Sequence, residues 1–174
     1  NIINNLVAVQ KENYSFSQAR RIEAIESVWR LFNEFEFSLP NSFTNINSLR
    51  LDEYDTYLEK AIFEEDMDIK KDMNELKEES SSQNIFAELR NQLVFNRPFL
   101  GEDLYYKFHV NYTFVVKNIL NMHQGISNNR IRHWQEDLFL LKLARKTMST
   151  EDYNYITKYK RNSFTYTLEI LEKQ

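Results

Sequence analysis

The chain has 174 residues, 42% hydrophobic and 14% aromatic, with 2 Gly, 2 Pro, no Cys and a net charge of −4. A chain of that length buries a core of its own, and one this apolar is not disordered. The lack of Cys excludes a disulfide scaffold, Cys-based zinc sites and thiol catalysis, while the scarcity of Gly and Pro argues against the turn-rich sandwiches, barrels and nucleotide-binding sheets. The expected architecture is therefore all-α, an antiparallel bundle of five to six helices in one domain over residues 1–174.

Taken in chain order, the first apolar residues, Ile3, Leu6 and Val7, are too few to define an element. Ser15 and Gln18 have the spacing of a capping box and predict a helix start there. Ile22, Ile25, Trp29, Phe32 and Phe35 follow at steps of three and four, one helical face. Val28, Leu31 and Phe37 widen that face beyond a narrow seam, and this surplus is expected to serve a partner. Pro40 ends the helix by Leu39, and the Asn/Ser-rich stretch 40–50 reads as a loop. A second helix is expected from Leu51, with Tyr54, Leu58, Ala61, Ile62, Ile69, Met73 and Leu76 as its stripe. Residues 79–84, ESSSQN, predict a flexible break. Ile85, Phe86, Leu89 and Leu93 mark a third helix, ended by Pro98 and turned by Gly101. Glu102 and Asp103 open a fourth, striped by Leu104, Phe108, Val115, Ile119 and Met122 and closed by QGISNN at 124–129. Ile131, Trp134, Leu138 and Leu141 mark a fifth. Ser149 or Thr150 caps a sixth, carrying Tyr153, Ile156, Phe164, Leu168 and Leu171.

Charge is unevenly spread. Residues 51–80 hold 12 acids against 4 lysines, and residues 126–174 hold 9 Lys/Arg against 6 acids. Such asymmetry can orient a partner, although a solvated acidic helix face explains the first block more simply.

Searches for catalytic and cofactor patterns return little. His109, His123 and His133 follow Tyr106, Leu120 and Arg130 at three residues' distance, so the Glu-x-x-His pairs of di-iron bundles are absent, as is HExxH. No metal, cofactor or catalytic residue is expected. The acids Glu64, Glu65, Asp66 and Asp68 lack the Gly and spacing of a calcium loop. Two glycines cannot build a phosphate cradle, and no GxSxG elbow is present. Arg90 and Asn91 begin a pattern that partly resembles HEPN-type ribonucleases, all-α proteins that use a nearby His in proton transfer and an Arg on the phosphate. Phe95 stands where that His would be, which implies at most a degenerate relative; Arg90 and Asn91 otherwise read as a polar face with Phe95 packed. Arg130, Arg132, His133 and Trp134, with Lys158, Tyr159, Lys160 and Arg161, interleave basic and aromatic residues as nucleic-acid binders do. The sequence pI of about 5.5 runs against that use, and the register of Trp134 with Leu138 and Leu141 favours a core position.

Two stretches carry a resemblance. RRIEAIESVWRLF, through Arg21, Glu23, Ile25, Val28 and Trp29, and NRPFLGEDLYYKF, through Asn96, Arg97, Phe99, Leu100, Leu104 and Tyr105, resemble a loose group of uncharacterised bacterial helical proteins. Some members of that group carry a membrane anchor ahead of the first helix. The resemblance implies an extended helical bundle and no known reaction. No apolar run approaches the ~18 residues that span a bilayer, so any membrane contact would come through a segment upstream of Asn1, and the expected compartment is the cytosol. The sequence reading is thus a non-enzymatic interaction, scaffold or regulatory protein that pairs with a protein or with its own copy, contacting it through Val28, Leu31, Phe37, Arg130 and Arg132. The alternative is a divergent HEPN-like protein directed to RNA.

Overall fold

A computed structural model describes residues 2–63, 67–78, 81–128, 130–158 and 161–173. Among these residues there is no strand. Nine α-helices and two short 3₁₀ turns account for nearly all of them, more pieces than the sequence suggested.

Helix α1 (Ile2–Phe37) runs unbroken through Ser15 and Gln18, which therefore cap nothing. No Gly or Pro interrupts residues 2–37, and a lone cap signal does not stop a helix that can continue. Its buried face is Ala24, Val28, Leu31, Phe32 and Phe35. Ile22 and Trp29, assigned above to the packed stripe, are 54% and 53% exposed. Two apolar stripes overlap on this helix, and the one containing small Ala24 and Val28 faces α5. Val28 and Leu31, expected to meet a partner, are instead buried in the chain's own core.

Pro40 ends α1 as anticipated, but it also starts α2 (Asn41–Ser48), where a loop was expected. Its extended backbone and lack of an N–H suit the position just outside a helix. Phe43 and Ile46, three residues apart within a polar stretch, anchor α2 in the core. A 3₁₀ turn, Leu51–Glu53, leads into α3 (Tyr54–Phe63), and α4 (Met67–Glu78) follows. Tyr54 and Met73 are buried and Ile69 partly so, whereas the side chains of Leu58, Ala61, Ile62 and Leu76 lie outside those described. Of the break expected at 79–84, residues 79 and 80 lie outside the described residues, and 81–84 form the first turn of α5 (Ser81–Leu100).

Helix α5 buries Phe86, Leu89, Leu93, Asn96 and Leu100 at alternating steps of three and four. Pro98 sits inside its last turn rather than ending it, since only one hydrogen bond is forfeited so near the end. Gly101 ends the helix. Its φ of 77° lies in the left-handed region, and its N–H donates to the Arg97 carbonyl at 3.2 Å. Arg97 forks onto Glu102 across this corner at 2.9 and 3.1 Å.

The central helix is α6 (Glu102–Ser127), which touches α4, α5, α7 and α9. It buries Phe108, Val115, Ile119 and Met122 as expected, and a second side through Val110, Phe114, Asn118 and Ile126. QGISNN closes it as expected, at Ser127 with Asn128 as the cap, and Gly125 in its last turn serves a crossing. A Cβ there would lie 2.6 Å from the Arg130 carbonyl oxygen and 2.9 Å from the Ile131 Cα.

After a 3₁₀ turn at Trp134–Glu136 come α7 (Leu138–Thr147), α8 (Thr150–Ile156) and α9 (Ser163–Lys173). The expected sixth helix is thus two, parted near Asn162, which adopts φ 56°. Ser149 caps α8 by accepting from the Asp152 N–H at 3.0 Å. On α7 the core positions are Leu140 and Ala144, and Leu138 is 72% exposed. Phe114 stacks on Phe164 at 5.3 Å and meets the edge of Trp134 at 5.3 Å. The Trp134 indole N–H donates to Ser163 Oγ at 3.0 Å, fixing the 3₁₀ turn to α9.

Candidate interaction surface

From Val7 to Glu23 every described side chain of α1 is exposed. Among the described side chains the first buried one is Ala24, so the stretch from Val7 to Glu23 places none of its described side chains in the core. It is not a polar spacer: Val7, Val9, Tyr14, Phe16 and Ile22 are all exposed. At 100° per residue, Val7 and Tyr14 share one side and Val9 and Phe16 the opposite one. Covering a side chain of this type contributes about 1.5–3 kcal/mol. Four of them would contribute roughly 6–12 kcal/mol, which is comparable to the ~4–15 kcal/mol that association costs. The sequence reading found Ile3, Leu6 and Val7 too few to define an element and began the helix at Ser15; the sevenfold spacing of Val7 with Tyr14 and Val9 with Phe16 was the available signal.

Phe37, at the other end of α1, is 91% exposed. On α5, Val94 and Phe95 are exposed, so Phe95 does not pack as expected. Arg90 and Asn91 also face solvent, and the proton-transfer histidine of the nuclease pattern has no substitute beside them on α5.

Arg130 and Arg132 line a polar cleft of about 260 Å³ with Asn121, Gln124, Asn128 and Asp137. The chain is extended here, and side chains alternate. Arg130 and Arg132 point outward, while Ile131, His133 and Trp134 are buried. That alternation divides the basic and aromatic residues that the sequence appeared to mix, and leaves Trp134 no face for a base. One wall is held by Asp137. Its Oδ1 accepts from the N–H groups of Phe139 and Leu140 at 2.8 and 3.0 Å, and its Oδ2 accepts from Asn121 at 2.6 Å. Despite partial burial, these bonds keep its carboxyl below the ordinary range. Of the second basic run, Arg161 is paired with Glu53, and residues 159 and 160 lie outside those described.

The buried histidine is structural. His133 Nδ1 accepts from the Gln135 N–H at 3.1 Å, and its ring meets Tyr54 edge-on at 4.9 Å. Burial pushes its pKa down to about 4, against an opposing pull from the Leu49 carbonyl. Burial likewise drives the Tyr54 phenol far upward. Neither ring reaches solvent, so the pair cannot meet a substrate.

Among the described residues no group of three or more His, Cys, Asp or Glu could hold a metal ion, and no helix is long and apolar enough to cross a membrane. No protein-family model, curated protein or solved structure matches the chain.

Proposed function

We propose that the chain is a non-enzymatic, cytosolic interaction protein that associates with a second copy of itself through the uncovered arm of α1. The observation behind this reading is the arm's two pairs of exposed apolar side chains, Val7 with Tyr14 and Val9 with Phe16, on which the described residues place only Arg20 of the same helix, 5.6 Å over the Phe16 ring. We take α1, α5, α6 and α9 as the antiparallel body of a bundle. The contact of Phe35 with Phe86 at 5.2 Å, joining the end of α1 to the start of α5, supports that direction. The likeness of Arg21–Trp29 and Asn96–Tyr105 to bacterial helical proteins is consistent with it.

Light scattering after size exclusion, run across protein concentrations, tests the reading. The intact chain should form a dimer or larger species. Val9→Asp with Phe16→Asp should give a monomer with unchanged helical signal from the body. A monomer at every concentration for the intact chain would sink self-association and point to a different protein as the arm's partner.

A second reading, a divergent and catalytically degenerate HEPN-like protein directed to RNA, draws on the cleft at Arg130 and Arg132. Among the described residues neither guanidinium is paired with a carboxylate, which leaves both available to phosphate.

A further inference from the structure

A groove of about 360 Å³ runs along α6 where α7 lies beside it. Val116, Leu120 and the rings of Tyr112 and Phe139 line it, and Leu120 and Phe139 are each about half exposed. The polar atoms at its wall are engaged inside the chain. The Tyr112 hydroxyl donates to the Phe86 carbonyl at 3.2 Å, and Thr113 Oγ1 donates to the His109 carbonyl at 2.7 Å.

What remains toward solvent is ring and methyl carbon. Such a surface suits an apolar occupant and has little to fix the orientation of a polar small molecule. Its charged surroundings are basic: Lys117 lines it, and Lys142 follows Phe139 by three residues on the exposed side of α7. The occupant that fits is therefore a short apolar stripe with an acid beside it.

We propose that the groove receives the Val9–Phe16 stripe of the α1 arm of a second copy. The proposal rests on the self-association read from the arm, and it names the surface that the arm meets. Length agrees: Val9 and Phe16 stand about 10 Å apart along their helix, and Tyr112 to Leu120 covers about 12 Å of α6. Charge chooses between the two stripes. Glu12 lies about 60° from Val9 and about 40° from Phe16 around the helix, whereas Lys11 and Arg21 border Val7 and Tyr14. Arg20 also borders the Val9–Phe16 stripe, but Glu23 holds it at 3.2 Å. Lys117 and Lys142 thus meet an acid on one stripe and would meet cations on the other. The arm cannot turn back onto its own groove, because α1 is unbroken from Ile2 to Phe37. Each copy has one arm and one groove, so a reciprocal exchange between two copies fills both and closes as a two-fold dimer.

The chain has no Cys, so introduced thiols report contacts without background. Phe139→Cys protein is mixed with Val9→Cys or Phe16→Cys protein and mildly oxidised. At least one of the two mixtures should yield mainly the mixed disulfide. Val7→Cys, on the opposite side of the arm, should link to Phe139→Cys far less. Separately, Phe139→Asp leaves the arm untouched and should raise the dimer dissociation constant at least about tenfold. Predominant arm-to-arm disulfides, or a dimer indifferent to Phe139→Asp, would overturn the groove as the receiving surface while self-association through the arm stands. A monomer at every concentration for the intact chain would overturn both.

Discussion

His133 is the residue at which burial becomes measurable as a pH effect. Its pKa is near 4 in the fold and takes the ordinary value of about 6.5 when unfolded. Above about 6.5 both states are neutral there, and stability does not change. As the pH falls below that value, the unfolded chain takes up a proton that the folded chain refuses, so stability declines until about 4 and then levels. At 1.36 kcal/mol per pH unit, the loss is at most about 3 kcal/mol. Asp137 and Glu53, both held below the ordinary carboxylate range, act in the same direction, losing stability as the pH falls, but lower on the scale. Their stabilisation is complete above the ordinary carboxylate value near 4 and fades only below it. His133→Asn keeps an acceptor for the Gln135 N–H and removes the titration. The denaturant midpoint of that variant should vary less with pH between about 6.5 and 4 than that of the parent; an unchanged slope would refute the assignment. Little of this was legible in the sequence, because His133 looked like one more polar member of a basic run. Gly125 read only as part of the stretch that closes α6, and its second use, giving space to the Arg130–Ile131 backbone, was not legible.

At the scale of elements, α1 divides at Ala24 into a clamped half and a free half. Most helical stability in a protein comes from packing of an apolar face rather than from propensity, and no described side chain of the free half is buried in the core. Amide hydrogen exchange should therefore be fast over residues 7–22 in dilute protein and slow over 24–35. Raising the protein concentration should slow the first set alone. Uniform protection of both sets at every concentration would mean the arm needs no partner. Helix content and the main apolar stripes of α5 and α6 were legible, since their periodic positions are nearly all buried. The phase of α1 and α7 was not. In each, two apolar stripes overlap, and only the neighbouring helix decides between Ile22–Trp29 and Ala24–Val28, or between Leu138 and Leu140. The short helix α2 was hidden for another reason: Phe43 and Ile46 are too few to show a period among Asn and Ser.

For the whole molecule, the sequence showed helices and a lack of strands, and exposed Phe37, Arg130 and Arg132 among its candidate contacts. It could not reveal contacts whose members are distant in the chain, such as the Asn118 amide donating to Asn47 Oδ1 at 2.7 Å. The RNA reading makes its own demand at this scale. A chain of net charge −4 offers phosphate few footholds beyond the cleft. Any RNA retention should then fall steeply with salt and vanish in Arg130→Ala with Arg132→Ala; retention that survives both changes would place the RNA elsewhere, and background retention in the parent would remove this reading. Finally, α1 is one rod of 36 residues, about 54 Å at 1.5 Å per residue. Roughly 33 Å of it precedes Ala24, against about 17 Å held between Ala24 and Phe35. Those proportions make a lever with a mechanical advantage of about two, and a pivot of about 10° at the clamp sweeps the tip through ~6 Å. The short end carries Val28, Leu31 and Phe35, so a load applied at the tip would arrive as a magnified force on the packing of α1 against α5.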